Sequence, residues 1–308
     1  MKVEMIEDSG SLFVGRRGCP ICGVTGELIV DTPLEHPRLK SWLREKYAGR
    51  VPHTVIQSGH YKLRYCRNCQ FLYQSEVLAD QWLVELYERW IDPEESLRKN
   101  RLMRNRKGRY EILVASLIAK TPSASHACVL DFGGGWGDWA VIAQCLGYDV
   151  DVAELSPTRQ SFLRNKGIRV VDLNSSEEFR GKYTFIRAEQ VFEHLVAPVS
   201  VLSQLSSFLM HRGIIYISVP NVLPICRKLD ALAELNISDE ELKLIAPLEH
   251  INGFTPKSMN RLARQVGLRR MFLRPTFIDG SRGLLGTLLS WLLLPLREST
   301  TLTLVKEN

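Results

Sequence analysis

The sequence predicts a doubly wound α/β protein with a mostly parallel sheet, preceded by a small cysteine-stapled unit. Three observations predict it. From Ala127 onward, short apolar runs alternate with helical stretches, the pattern of βαβ units. One of those runs ends in a glycine-rich turn that opens a helix. Two Cys-x-x-Cys pairs, Cys19/Cys22 and Cys66/Cys69, stand before this region.

The strand candidates, in order, are CVLDF, YDVDVAE, IRVVD, YTFIRA and GIIYISV, with helices beginning near Trp136, Ser156 and Pro198. TPKSMNRLARQVGL reads as a capped helix, followed by strand candidates RRMFLRPTFI and TLTLV. Upstream, LADQWLVELYERW and RYEILVASLIAK have helical periodicity, and TPSAS (121–125) is a turn or linker. The predicted organisation is a metal-stapled unit over 1–80, a helical connector over 81–125 and an α/β domain over 126–308.

Composition bounds the answer. With 45% hydrophobic and 24% charged residues the chain is globular rather than disordered. The net charge of +6 suits an anionic partner only weakly, and the excess flanks residues 126–222 rather than lying in them. Seven cysteines, an odd number dominated by two close pairs, point to thiols and metal rather than a disulfide framework. The first ten residues, MKVEMIEDSG, lack an apolar core, so a cytoplasmic protein without a secretory signal is expected.

The chemistry concentrates after the first long strand. Asp131 ends an apolar run, and Gly133, Gly135 and Gly137 follow at alternate positions before a helix. Glycine permits positive φ and close backbone approach, so a ligand can sit against the turn at the helix N-terminus. Glu154 ends the next strand 19 residues after Gly135, the spacing at which a carboxylate accepts from ribose hydroxyls. A dinucleotide fingerprint would run G-x-G-x-x-G, and here the third glycine comes one residue early, although Gly134 and Gly137 allow a second phasing.

These residues resemble the class I S-adenosylmethionine-dependent methyltransferases, whose first motif is an acid followed by G-x-G-x-G. The resemblance continues through Val171-Asp172-Leu173, through Ala188-Glu-Gln-Val-Phe-Glu-His-Leu195, and through the segments GIIYISVPN (213–221) and EHINGFTP (249–256). It implies a seven-stranded sheet and S-adenosyl-L-methionine as cofactor. It also implies a cofactor-binding set of Asp131, Gly133, Gly135, Gly137, Glu154, Leu155, Asp172, Leu173, Glu189 and Gln190. An N-terminal zinc-ribbon-like module before such a domain is similar to bacterial sugar methyltransferases that act on nucleotide-linked deoxysugars.

Each Cys-x-x-Cys places two sulfurs on a tight knuckle, and four thiolates can close a tetrahedral structural zinc site with Cys19, Cys22, Cys66 and Cys69 as ligands. The 43 residues between the knuckles are more than a usual ribbon carries, so that segment must fold back. The competing readings are a redox pair, disfavoured by the presence of two pairs, and free cytosolic cysteines. Cys128, Cys145 and Cys226 read as packing residues.

Methyl transfer needs in-line positioning and, for a hydroxyl or an acidic carbon, a base. His250, paired with Glu249, is the candidate, because the resemblance to sugar carbon-methyltransferases places a Glu-His pair there. Glu193-His194 reads either as pocket lining or as a helix-start carboxylate and a packed histidine. RKNRLMRNRKGR, with seven basic residues over 98–109, reads as a phosphate clamp or a solvated helix face. Residues 223–250 form an insertion that could act as a lid over the acceptor. GLLGTLLSWLLLPL (283–296) is too short to span a bilayer, which needs about 20 residues. It suits burial, self-association or peripheral membrane contact at the inner face.

The expected function is methylation of a small-molecule acceptor, a nucleotide- or lipid-linked sugar. The alternatives are an RNA methyltransferase and a non-catalytic cofactor-binding protein. The absence of an Asn-Pro-Pro-aromatic element and of a catalytic cysteine motif counts against nucleic acid.

Overall fold

A computed structural model describes residues 5–6, 11–102, 127–174, 176–271 and 299–306. The N-terminal strands are β1 (Met5–Ile6), β2 (Phe13–Arg16), β3 (Glu27–Pro33), β4 (His60–Cys66), β5 (Phe71–Gln74) and β6 (Glu76–Leu78). After them come β7 (Cys128–Phe132), β8 (Asp149–Ala153), β9 (Arg169–Val170), β10 (Tyr183–Glu189) and β11 (Leu209–Pro220). The chain ends with β12 (Asn252–Gly253), β13 (Arg269–Arg270) and β14 (Ser299–Val305).

Seven strands form the central sheet in the order β13-β14-β11-β10-β7-β8-β9. The pairs from β11 through β9 are parallel, and β14 runs antiparallel to both its neighbours. A parallel sheet covered on both faces needs apolar strands, and Val129, Leu130, Phe185, Ile186, Ile215 and Ile217 are all buried. The chain enters at β7, works outward to β9, then returns to β10 on β7's other side. The crevice between the carboxyl ends of β7 and β10 is therefore a topological switch point, where sheets of this kind bind ligands.

The crossover helices start where the sequence supplies caps. Ser156 accepts from the Arg159 N–H ahead of the helix Pro157–Asn165. Thr255 and Ser258 form a reciprocal box at the start of Pro256–Gln265. Of the expected strand RRMFLRPTFI, only Arg269–Arg270 is described as strand, and residues beyond Met271 lie outside the described set. Most of the basic run 98–109, the second connector helix and the apolar stretch 283–296 also lie outside it. Among the described residues, no helix is long and apolar enough to cross a membrane.

The N-terminal region joins the large sheet's domain through shared elements. A second sheet has the order β12-β5-β4-β3, so a strand from beyond residue 250 completes a sheet built from residues 27–74. Asn252 pairs with Tyr73 and Gly253 with Leu72. Cys19, Cys66, Cys69 and Phe71 lie in the same buried cluster as Leu130 and Phe254. The long link between the knuckles carries the helix Pro37–Lys46, and its Trp42 and Leu43 pack with Leu232, Leu242 and Ile245 of the 223–250 insertion. Arg38 meets Asp239 at 2.6 Å, and the Tyr61 hydroxyl donates to the Ile245 carbonyl at 2.8 Å.

Candidate active site

The glycine turn leaves β7 at the switch point, and its backbone needs the residues found there. Gly133 has φ +75, and a Cβ on it would stand 2.4 Å from Val191 Cγ2. Gly137 has φ +77, and a Cβ there would stand 2.4 Å from Leu163 Cδ2. Gly135, with φ +57, faces open space. The turn thus packs against β10's exit on one side and the helix after β8 on the other, and its middle is left clear for a ligand.

Glu154 closes the mouth of this turn. Its Oε2 accepts from the Gly135 N–H at 2.8 Å, and its Oε1 accepts from the Ser156 N–H at 3.0 Å. Arg159 Nη1 lies 3.8 Å from Oε1. The Arg159 guanidinium also stands 5.6 Å from the centroid of Trp136 and 5.9 Å from that of Tyr87. Trp136, edge-on to Phe162 at 5.0 Å, donates from its indole to Ser96 Oγ at 3.2 Å. Glu88 accepts from the hydroxyls of Ser156 and Thr158. Sequence reasoning singled out neither Glu88 nor Arg159. Leu155 is exposed beside Glu154, Asp172 is exposed and Leu173 is partly buried at the outer rim of the sheet.

Asp131 lies underneath the turn, fully buried. Arg187 of β10 donates to its Oδ1 at 2.6 Å and also pairs with Glu189. Burial pushes the Asp131 carboxyl up, against the pull of Arg187. Asp131 Oδ2 has no hydrogen-bond partner among the described residues, and a side chain at Gly134 would press on it at 3.0 Å. Gln190 follows with φ +57, a strained conformation for a non-glycine residue, held by its N–H donating to the Ser218 carbonyl at 2.7 Å. Arg187 was missed in the sequence, although a lone charge in the apolar run YTFIRA was a signal.

Beyond Gln190 a second polar centre forms. The short helical turn Phe192–His194 brings Glu193 and His194 against His250 from the far end of the insertion. The two imidazoles meet edge-on, with centroids 4.9 Å apart and planes at 72°. His194 Nδ1 lies 2.8 Å from the Glu249 carbonyl oxygen, so this nitrogen carries the proton and donates. Tyr87 meets His194 edge-on at 6.1 Å, and through Arg159 it links this centre to Glu154.

Glu193 is fully buried, and neither carboxylate oxygen has a partner among the described residues; burial raises its carboxyl to about 8. Burial works against Glu249 as well, but Lys46 at 3.0 Å and the nearby imidazoles outweigh it and hold that carboxyl down at about 2. Tyr47 adds a hydroxyl donated at 3.3 Å. Burial, helped by His194, lowers His250 to about 3, well below the neutral range that makes a free imidazole an effective base. Leu248, just before the pair, has φ +71.

The loop carrying this pair is anchored on the N-terminal unit. Gln74 Nε2 donates to the Ala246 and His250 carbonyls at 2.9 and 3.1 Å. Buried Arg16 donates to the Ile251 carbonyl at 2.7 Å and to Asn252 Oδ1 at 2.9 Å. Lys46 and Tyr47 come from the end of the helix that lies between the two knuckles.

The knuckles themselves bring Cys19, Cys22, Cys66 and Cys69 together, with all four sulfurs within 4.8 Å of one another. Cys22 and Cys66 sulfurs are 3.6 Å apart. A tetrahedron of zinc–sulfur bonds of about 2.3 Å has edges near 3.8 Å, so the donor set fits that ion. Cys128 and Cys226 are partly buried and Cys145 is exposed, and none is in a disulfide.

A family described as "Methyltransferase domain" matches residues 102–270, more than half of the chain. No match was found among curated protein sequences. Among solved structures, the chain is similar to the Burkholderia thailandensis 1,6-didemethyltoxoflavin-N1-methyltransferase, at 14% identity and TM-score 0.46, covering 79% of this chain and 99% of that one. It is also similar to Haemonchus contortus phosphoethanolamine N-methyltransferase 2, at 14% identity and TM-score 0.43, covering 63% and 52%. The CurJ carbon methyltransferase is similar at 14% identity and TM-score 0.40, covering 62% and 51%. The chain spans about half the length of these last two.

Proposed function

The chain belongs to the methyltransferase-domain family as a class I S-adenosylmethionine-dependent enzyme, and from that premise we propose that it methylates a hydroxyl-bearing small molecule, a sugar or glycan precursor. The observation that carries the acceptor reading is the polar centre of Glu193, His194, Glu249 and His250, joined through Tyr87 and Arg159 to the glycine turn. Polar atoms with no hydrogen-bond partner among the described residues suit an acceptor rich in hydroxyls, because each hydroxyl can both donate and accept.

Bound S-adenosylmethionine supplies a methyl group on a positively charged sulfur. Gly135 leaves room for its body while Gly133 and Gly137 let the turn close on Val191 and Leu163, and Glu154, held by backbone N–H groups, is the proposed acceptor for its ribose hydroxyls. Gln190 and Glu189 stand at the β10 end, toward the reacting centre. In this reading His250, backed by Glu249, marks the place where the acceptor hydroxyl loses its proton. Lys46, Tyr47, Gln74 and Arg16 hold that loop in position. The four cysteines, with a donor set suited to structural zinc, keep the N-terminal support rigid.

The test is to incubate the full chain with S-adenosylmethionine and a panel of nucleotide-linked and lipid-linked sugars, with RNA as comparison, and to follow methylated products by mass spectrometry. His250→Ala is expected to keep S-adenosylhomocysteine binding and to lose turnover at least 100-fold. Methylation of RNA with every sugar inert would overturn the acceptor class.

A further inference from the structure

Glu193 is the least satisfied ionisable group among the described residues. Its side chain is fully buried, neither oxygen has a hydrogen-bond partner among the described residues, and His194 Nε2 stands 3.9 Å from Oε1. The ammonium of Lys46 pairs with Glu249 at 3.0 Å. Burying a carboxylate this way is costly unless something cationic or hydrogen-bonding meets it. His250 adds a second gap, because its Nδ1 is buried with no partner among the described residues.

We propose that Glu193, His194 and His250 form a second metal site, holding one divalent cation between the cofactor crevice and the acceptor. One ligand atom from each of the three lies within 4.8 Å of the others, so a cation placed among them draws them inward by small side-chain rotations. The tautomer is already set: His194 donates from Nδ1 to the Glu249 carbonyl, which aims the Nε2 lone pair away from that bond. An imidazole ligand held by its other nitrogen on a carbonyl is the usual outer support of metal-bound histidine. Two imidazoles and one carboxylate make a three-point set that leaves coordination positions open, and it differs in kind from the four-thiolate site.

The open positions suit two adjacent oxygens of an acceptor, such as a vicinal diol. Coordination lowers the hydroxyl's pKa, so its proton can pass to solvent without a strong protein base. The oxygen's electron pair then forms the bond to the methyl carbon, and sulfur keeps the pair of the bond that breaks. This inference rests on the methyl-transfer reading and gives His250 the part of ligand in the deprotonation of the acceptor.

The test uses the full chain with its cysteine site left as purified, titrated with Mn2+ and followed by electron paramagnetic resonance of free ion. S-adenosylhomocysteine binding is measured alongside. One Mn2+ per chain is expected, weakened at least tenfold in Glu193→Gln and in His194→Gln, with S-adenosylhomocysteine affinity retained. The wild-type result decides even where a variant does not fold. A chain that binds S-adenosylhomocysteine but no Mn2+ overturns the site, as does Mn2+ affinity unchanged in folded variants. Failure to bind S-adenosylhomocysteine counts against the methyl-transfer reading instead.

Discussion

Glu154 illustrates what a single side chain does in this crevice. It sits at the end of β8 with both oxygens on backbone N–H groups of the turn and the following helix, so it is oriented before any ligand arrives. Hydrogen bonds to a charged acceptor are worth about 1.5–3 kcal/mol. Glu154→Ala is therefore expected to weaken S-adenosylhomocysteine binding by roughly 10–100-fold, read by calorimetry. Unchanged affinity would show that the ribose is held elsewhere. Gly133 makes the complementary point: Val191 occupies the space where its Cβ would go, so the turn and the polar centre two residues beyond Val191 are packed as one piece.

At the scale of elements, the decisive feature is the pairing of β5 with β12. It turns the cysteine-bearing sheet into the support for the residues that follow His250, with Arg16 and Gln74 as cross-links. Small metal-stapled units lose much of their folding free energy with the metal. Cys66→Ser is expected to abolish retention of one zinc per chain, measured by elemental analysis, and to lower the thermal midpoint by on the order of 10 °C. Turnover should fall further than cofactor affinity, because the anchored loop is loosened while the glycine turn lies on the other sheet. Equal stability and zinc content in the variant would remove the support role. The same contacts account for the long link between the knuckles, whose helix covers the 223–250 insertion and delivers Lys46 to Glu249.

For the whole molecule, the parallel sheet brings charges together from successive strands. Asp151 in β8 is buried and accepts from Arg169, Lys182 and Tyr183, the last two at 2.8 Å. Burial alone would raise its carboxyl, but these donors outweigh it and hold the group below its ordinary value. A depressed folded pKa means the stabilisation is fully present above the unfolded value of about 3.9 and is lost as pH falls through the lower folded value. Asp151→Asn is expected to cost about 2 kcal/mol at neutral pH and to flatten the acid limb of stability, measured by urea unfolding across pH. An unaltered acid limb would refute this linkage.

By itself the sequence determined the βαβ alternation, the glycine turn with Glu154 in register, and the two knuckles. These are local features: a strand's apolar run, a turn that demands positive φ, and paired thiols three residues apart all act over a few residues. Only the tertiary structure decided the rest. The contact of Asp131 with Arg187 beneath the turn arises because β7 and β10 become neighbours only when the sheet forms. Glu193, open in the sequence to a helix-start reading, is a buried carboxylate with no hydrogen-bond partner among the described residues, beside the pair that His194 makes with His250 of the insertion. The cysteine-bearing region, which reads as a small metal-stapled unit over 1–80, shares a sheet and a buried cluster with residues from beyond 250. Burial and long-range pairing depend on contacts between residues 55 or more positions apart, and no local pattern encodes them.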